Sequence, residues 1–448
     1  MRRPANPDPG TPGIQGPSFN LDGLALPHRL VLAIDCQMED LVTEAVPVAV
    51  IGAGHAGLAM SNVLTVEGVE HVVLERDAVA STWANERWDS FTLLTPNWAT
   101  WLPAWHYDGD DPHGFMGRDE IVAYFTRYAE SFGAPVRSGV EVKSLEVAAD
   151  AAVHLRTDAG DVMAESVVIA TGPFQAPRLP VWASALPPTV TQLHSRDYRS
   201  PADLPEGGVL VIGAGPSGQQ IAEDLIAAGR PTHLSVGRHR RVPRHYRGRD
   251  YYWWLELGGF YEKTADDVPL ARRRDSVAPA LTGARDVHDL DLRAIHAQGV
   301  DLLGRAIGVD DGRLLFETDL AASLAAGDRA YDDFTDWVEA RLYRFEGLYE
   351  EATPRPAYPE PPPPPSFLDL EAAGVSTVIW ATGFRSEHQR WVHAPVFDAD
   401  GRLQHRRGVT TLPGLYFIGL TWLHRLRSPF IRGAEEDARY IVNHILSR

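Results

Sequence analysis

Two six-residue stretches of the chain have the spacing needed to hold a pyrophosphate. Gly52-Ala53-Gly54-His55-Ala56-Gly57 and Gly213-Ala214-Gly215-Pro216-Ser217-Gly218 place their three glycines identically. In such a stretch the first glycine permits a tight turn. The second lets the backbone approach the phosphates, and the third lets a helix pack closely on a strand. The N–H groups at the helix start then face the anion. Both stretches stand in the context this chemistry requires. The apolar runs before them, residues 46–51 and 208–212, predict buried parallel strands. Helical patterns come after them, to about Glu67 and over residues 219–228, and stop at Gly68 and Gly229. Residues 71–74 and 232–236 then read as second strands. The chain therefore carries two βαβ units, too far apart for a short tandem repeat.

The residues just past each second strand separate the two sites. Glu75, with Arg76 beside it, stands eighteen residues past Gly57, where a carboxylate accepts hydrogen bonds from a ribose 2′-hydroxyl. The equivalent position in the second unit is Val236, and Arg238, Arg240 and Arg241 come next. Guanidinium forks suit a 2′-phosphate. The first site reads as FAD and the second as NADPH. Arg244, Arg247 and Arg249 continue the basic run, so a solvated loop stays open as the plainer reading.

The units must be joined by elements that bring the two sites together. Residues 166–172 and 376–383 are both apolar strands ending in Ala-Thr-Gly, and residues 414–419 form another strand meeting a glycine. The expected cofactor-binding residues are thus Gly52, Gly54, His55, Ala56, Gly57, Glu75, Arg76, Thr82, Trp83, Thr171, Gly172, Gly213, Gly215, Ser217, Gly218, Gln219, Arg238, Arg240, Arg241, Thr382, Gly383 and Gly419. Residues 361–365 are a polyproline run, read as a spacer or surface loop. Residues 251–254, Tyr-Tyr-Trp-Trp, read either as the core of an insertion or as channel lining. No metal site is expected.

Composition narrows the classes. The chain has 448 residues, a net charge of −18 and only two lysines, Lys143 and Lys263. Such an acidic chain repels phosphate backbones, which argues against nucleic-acid partners. Its single cysteine, Cys36, excludes an intramolecular disulfide or a CxxC redox pair, and fits a reducing cytoplasm. No run reaches the ~18 apolar residues of a membrane span. Residues 1–45 read as an extension rich in Pro and Gly and partly disordered.

From about Val46 onward the chain resembles the flavin-containing monooxygenases and their bacterial relatives. The two fingerprints, the two Ala-Thr-Gly strands, Thr82-Trp83, residues 86–91 (Glu-Arg-Trp-Asp-Ser-Phe) and residues 94–98 (Leu-Thr-Pro-Asn-Trp) carry the resemblance. It implies an α/β fold with two Rossmann-like dinucleotide-binding domains, for FAD and NADPH, in a glutathione-reductase-like arrangement. The expected division is 46–180 for FAD, 181–365 for NADPH with insertions, and 366–448 returning to FAD. The resemblance further implies that NADPH reduces FAD, that O2 adds at flavin C4a, and that one oxygen atom passes to a small organic substrate. N- or S-oxygenation is preferred over Baeyer–Villiger chemistry, since Tyr198 replaces a Trp. Asn97 or Thr95 is expected to face the flavin; capping of the turn at Pro96 is the alternative role for both. An FAD-dependent oxidase or reductase without oxygen insertion, or a nucleotide-sensing flavoprotein, stays open, as does a homodimer. Gly419 is followed by Leu420, so the acid that related reductases carry there is missing.

Overall fold

The computed structural model describes residues 44–148, 152–274, 277–284 and 286–448. The extension expected over 1–45, with Cys36, therefore lies outside the described residues except for its last two. The first βαβ unit is β1 (Glu44–Ile51), α1 (His55–Val66) and β2 (His71–Glu75). The short helix α2 (Ser81–Asn85) and the longer α3 (Arg118–Ser131) come next, then strands β3 (Val136–Ser138), β4 (Val142–Val147), β5 (Val153–Thr157) and β6 (Gly160–Ile169). β6 lies parallel to β1 and carries the first Ala-Thr-Gly at its end. Val48 to Ile51 are buried, as expected of a central parallel strand with both faces covered.

The chain then crosses to a second sheet. Its strands are β7 (Thr191–His194), β8 (Gly208–Ile212), β9 (Thr232–Ser235), β10 (Asp301–Leu303) and β11 (Val375–Trp380), all parallel, in the order β7-β11-β8-β9-β10. The second helix, α4 (Pro216–Ala227), packs Ile221, Ala222 and Leu225 on one face of this sheet. The insertion between β9 and β11 contains α5 (Tyr251–Leu257) and α6 (Leu320–Glu339). Tyr251 and Trp254 pack on Phe334, Val338 and Phe345 of that insertion, so the aromatic run forms its core.

Only after β11 does the chain return to the first sheet, through β12 (Val392–His393) and β13 (Leu415–Phe417). It ends in α7 (Ala434–Leu446), whose Ala438, Ile441 and Val442 share a core with Met60 and Leu64 of α1. The second Ala-Thr-Gly strand thus belongs to the second sheet. The expected return at residue 366 is corrected to a point after Gly383, because β11 fills the gap between β7 and β8.

Two connections cross between the sheets, and they run side by side. Ala176–Pro177 pairs antiparallel with Phe384–Arg385. His194 Nε2 lies 3.0 Å from the carbonyl oxygen of Gly383 and its ring meets Phe384 edge-on. No helix among the described residues is long and apolar enough to cross a membrane.

Candidate active site

Each glycine fingerprint folds into the same turn. Gly52 and Gly213 take φ of +104° and +115°, a region that favours glycine. Gly52 N donates to Leu74 O at 2.8 Å and Gly213 N to Ser235 O at 3.0 Å. A Cβ on Gly57 would lie 1.9 Å from Gly52 O, and one on Gly218 1.8 Å from Gly213 O, so both third glycines serve helix–strand contact. At Gly54 and Gly215 a Cβ would meet nothing within 4 Å. It would instead fill the space in front of each helix start, where a pyrophosphate fits.

The first turn opens into a cavity of about 460 Å³. Gly52, Gly54, His55, Ala56, Glu75, Arg76, Thr82, Trp83, Thr171, Gly172 and Gly419 all line it. Glu75 is buried at the end of β2, where Oε2 accepts from Ala53 N at 2.7 Å and Oε1 from Ser81 Oγ at 3.3 Å. Thr171 Oγ1 lies 3.0 Å from His388 Nε2, and burial lowers the His388 pKa to about 4. Burial likewise lowers His55 to about 4, while the Pro429 carbonyl holds its ring by a hydrogen bond. His55 Nε2 is buried with no hydrogen-bond partner among the described residues. These residues fit a dinucleotide: a carboxylate near the ribose position, an open helix start and an unfilled acceptor.

The second turn opens into a cavity of about 960 Å³ lined by Gly213, Gly215, Ser217, Arg238, Thr382, Gly383 and Thr95. The two cavities share His55, Trp83, Glu86, Arg87, Phe174 and Pro429. They therefore meet at one junction, which is where two bound cofactors would face each other. α2 positions Trp83 there. Glu86, just after it, is buried and bridges Arg196 at 2.8 Å and Arg76 at 3.4 Å.

Several expected site residues do other work. Asn97 is buried away from both cavities: Nδ2 donates to Asp111 O at 2.9 Å and Oδ1 accepts from Met116 N at 3.0 Å. It pins one loop onto another, which corrects its expected place facing a flavin. Thr95 does line the second cavity and hydrogen-bonds Tyr252. Arg241 is buried and paired with Asp291 at 2.5 Å and Asp328 at 2.9 Å, so it is committed to the insertion. Arg240 sits beside it in a short strand and does not line the cavity. Gln219 turns inward, Nε2 donating to Ala214 O at 2.8 Å, and Gly218 is a packing glycine. Tyr198 is buried, its hydroxyl donating to Asp224 Oδ2 at 2.5 Å.

The structure also supplies residues to which the sequence alone assigned no role. Arg305 comes just after β10 and lines the second cavity with Arg238. A Cβ on Gly237 would stand 3.8 Å from its Nε, which places this guanidinium at the end of β9. Recognising residues 301–303 as the next parallel strand was the signal that would have found it. Glu86 and Arg87 belong to the motif at residues 86–91, whose residue types alone do not reveal that both reach the junction.

A family model described as pyridine nucleotide-disulphide oxidoreductase matches residues 49–248. A CzcO-like oxidoreductase of Geobacillus kaustophilus is 33% identical over 405 residues, 90% of this chain and 99% of the relative. A rice protein (Oryza sativa subsp. japonica) named indole-3-pyruvate monooxygenase YUCCA1 is 29% identical, over 84% of this chain and 87% of its own length. Among solved structures, a flavin-containing monooxygenase from Stenotrophomonas maltophilia superposes with a TM-score of 0.58 at 20% identity, covering 90% of this chain and 99% of that one.

Proposed function

We propose, from the premise that this chain belongs to the flavin-containing monooxygenase-like oxidoreductases, that it is an NADPH-dependent FAD monooxygenase. It takes one O2, one NADPH and one proton, and yields NADP+, one water and a small organic substrate carrying one added oxygen atom. Oxygenation at a soft nitrogen or sulfur is the preferred chemistry, with insertion next to a carbonyl the alternative. The observation that carries this reading is the junction: two dinucleotide cradles open into cavities that share Trp83, Arg87, Phe174 and the ring of His55.

FAD, when bound in the first cradle, would supply the redox chemistry between NADPH and O2. The chain supplies position and shelter. Gly54 and the start of α1 hold the FAD pyrophosphate, and Glu75 accepts from the ribose. Gly215 and the start of α4 hold the coenzyme pyrophosphate, and Arg238 with Arg305 grips its 2′-phosphate. Trp83, Phe91, Leu93 and Phe174 keep water from the junction.

Anaerobic reduction by NADPH and then rapid mixing with oxygen tests the reading. The expected result is a flavin reoxidation that NADP+ slows several-fold. Immediate reoxidation with stoichiometric hydrogen peroxide, indifferent to NADP+, overturns it in favour of an oxidase. Failure of NADPH to bleach the flavin overturns both in favour of a redox-silent sensor.

A further inference from the structure

One carboxylate spans the distance from the first cradle to the second. Glu86 lines both cavities, whereas Arg76 lines the smaller and Arg196 the larger. Its Oε1 meets both guanidinium groups, Arg196 at 2.8 Å and Arg76 at 3.4 Å. Arg76 follows Glu75, the carboxylate at the ribose position of the first cradle. Arg196 stands just past β7, a strand of the second sheet. Glu86 is buried, and a buried carboxylate is costly unless cations meet it. Here the cations come from the two sides of the junction.

The residues around Glu86 make the same crossing. Asn85 O accepts from Arg199 Nη2, and Asp89 N donates to Arg199 O at 2.9 Å. Ser90 Oγ donates to Asp224 Oδ1 of α4 at 2.8 Å. Trp88 is buried in the core that holds Ile221 and Leu225 of α4. Residues 85–90 are therefore a lateral tie between the two halves, separate from the paired strands at 176–177 and 384–385. Two strands crossing side by side can bend as a hinge, and by themselves they leave the angle between the halves free. A tie beside the junction removes that freedom. Among the contacts of this tie, the pair of Glu86 with Arg196 is the ionic one, and it lies at the junction itself.

We infer that Glu86 is a positioning residue for hydride transfer, and that its pair with Arg196 sets the orientation of the second cradle relative to the first. The inference rests on the reading above only in placing FAD and NADPH in the two cradles, and not on oxygen insertion. In the transfer NADPH gives one hydride to FAD, leaving NADP+ and the reduced flavin anion. Neither Glu86 nor Arg196 exchanges an atom in it. Their part is distance and angle, to which such a step is sensitive: a misplacement of about 1 Å can cost about a hundredfold in rate.

The test mixes the FAD-loaded full chain with NADPH under anaerobic conditions. It reads the limiting rate of flavin bleaching and the NADPH concentration that gives half of it. Bleaching counts only flavin-loaded molecules, so an unfolded fraction does not enter. Glu86→Gln and Arg196→Gln should each lower the limiting rate about tenfold to a hundredfold, with half-saturation nearly unchanged. The double variant should be no slower than the slower single one, because both remove one contact. Arg196→Lys keeps the charge and should recover part of the rate. Hydrogen exchange of residues 195–199 should quicken several-fold in both single variants, with α1 and α4 unaltered. Arg196 is partly exposed, so its variants test the pair even if Glu86→Gln does not fold. Unchanged limiting rates or unchanged exchange overturn the inference. Losses that multiply in the double variant overturn it too, since the two residues then act separately. A loss confined to half-saturation overturns it and makes Arg196 a coenzyme-binding residue. A wild type that NADPH does not bleach sinks the reading of function and this inference with it; a bleaching wild type with unaltered variants sinks the inference alone.

Discussion

The backbone amide of Ala381 donates to the carbonyl of Ile212 at 2.9 Å, and it is the counterpart of a bond from Ala170 to Ile51, also 2.9 Å, in the other half of the molecule. Each Ala-Thr-Gly strand therefore ends against its own glycine turn. The approach is tight: a Cβ on Gly213 would lie 2.5 Å from Ala381 O, and one on Gly52 would lie 3.1 Å from Ala170 O. Thr171 and Thr382 are thus placed at matching corners of the two cradles. The site is built twice from one plan, and the two copies differ in the residues just past β2 and β9.

Two glycines of the first turn should fail in different ways. Gly54→Val should leave the apoprotein's stability within about 1 kcal/mol, because its side chain enters open space, yet abolish FAD binding. Gly57→Ala forces a Cβ into Gly52 O and should cost about 1–3 kcal/mol whether or not flavin is present. Flavin content per chain and thermal melting of the apo forms separate these outcomes. Full FAD occupancy in Gly54→Val would show that the pyrophosphate lies elsewhere.

Coenzyme choice should depend on Arg238 and Arg305, and not on Arg241. Either Arg238→Ala or Arg305→Ala should raise the KM for NADPH about tenfold to a hundredfold, with that for NADH nearly unchanged. Arg241→Ala breaks a buried pair with Asp291 and Asp328 and should cost about 3–5 kcal/mol of stability without changing the NADPH/NADH preference. Steady-state flavin reduction with both coenzymes, alongside denaturant unfolding, tests the three variants. A wild type that uses NADH and NADPH equally would remove the basis for the assignment.

Replacing Asn97 should injure the fold and leave the chemistry intact. Asn97→Ala strips partners from Asp111 O and Met116 N, one of them buried, at about 1–3 kcal/mol. The rate of flavin reduction per folded, FAD-containing molecule should match the wild type. A rate lowered by orders of magnitude at full flavin occupancy would return Asn97 to the catalytic set.

Acidification should weaken the fold between pH 6.5 and 4. His388 and His55 are both held near 4 by burial, below the 6.5 of an exposed histidine. In that window the unfolded chain binds more protons, so stability falls as pH falls. Asp437, raised by burial to about 6, acts the other way, since its folded form binds the extra proton below that value. Two histidines against one acid leave a net loss. Urea midpoints measured across the window should fall toward low pH, and His388→Gln should flatten the slope. A slope unchanged in that variant would show that His388 contributes none of it.

The glycine turns, their helices and the strand after each were legible because three constraints coincide there: backbone conformation, close packing and an apolar strand. All three act within about thirty residues, and each has its own residue signature. The return point of the chain was not legible in the same way. Residues 376–383 repeat the pattern of 166–172, and that echo predicts equivalent places in two sheets. Its position late in the chain points to the half that holds the first sheet, whereas β11 completes the second sheet. The arginines show a second limit. Arg238 and Arg241 are three residues apart and indistinguishable by type, yet one reaches the cleft and the other meets Asp291 and Asp328 from distant parts of the chain. Asn97 failed for the same reason, since its partners lie fourteen and nineteen residues on, in a loop with no periodic signal.

The paired crossing at Ala176–Pro177 and Phe384–Arg385 has a genealogical consequence. Where a chain leaves and re-enters as neighbouring antiparallel strands, everything between is an insert on a hairpin, and its ends are already together. Closing such a gap requires only a tight turn, whose entropic cost is small and nearly independent of the length removed. The half built on the second sheet can therefore have been gained, exchanged or lengthened as a cassette without rethreading the half built on the first. The toll of losing it would fall on a few side chains that reach across, Trp88 first among them, which lies buried in the core of α4 and the second sheet.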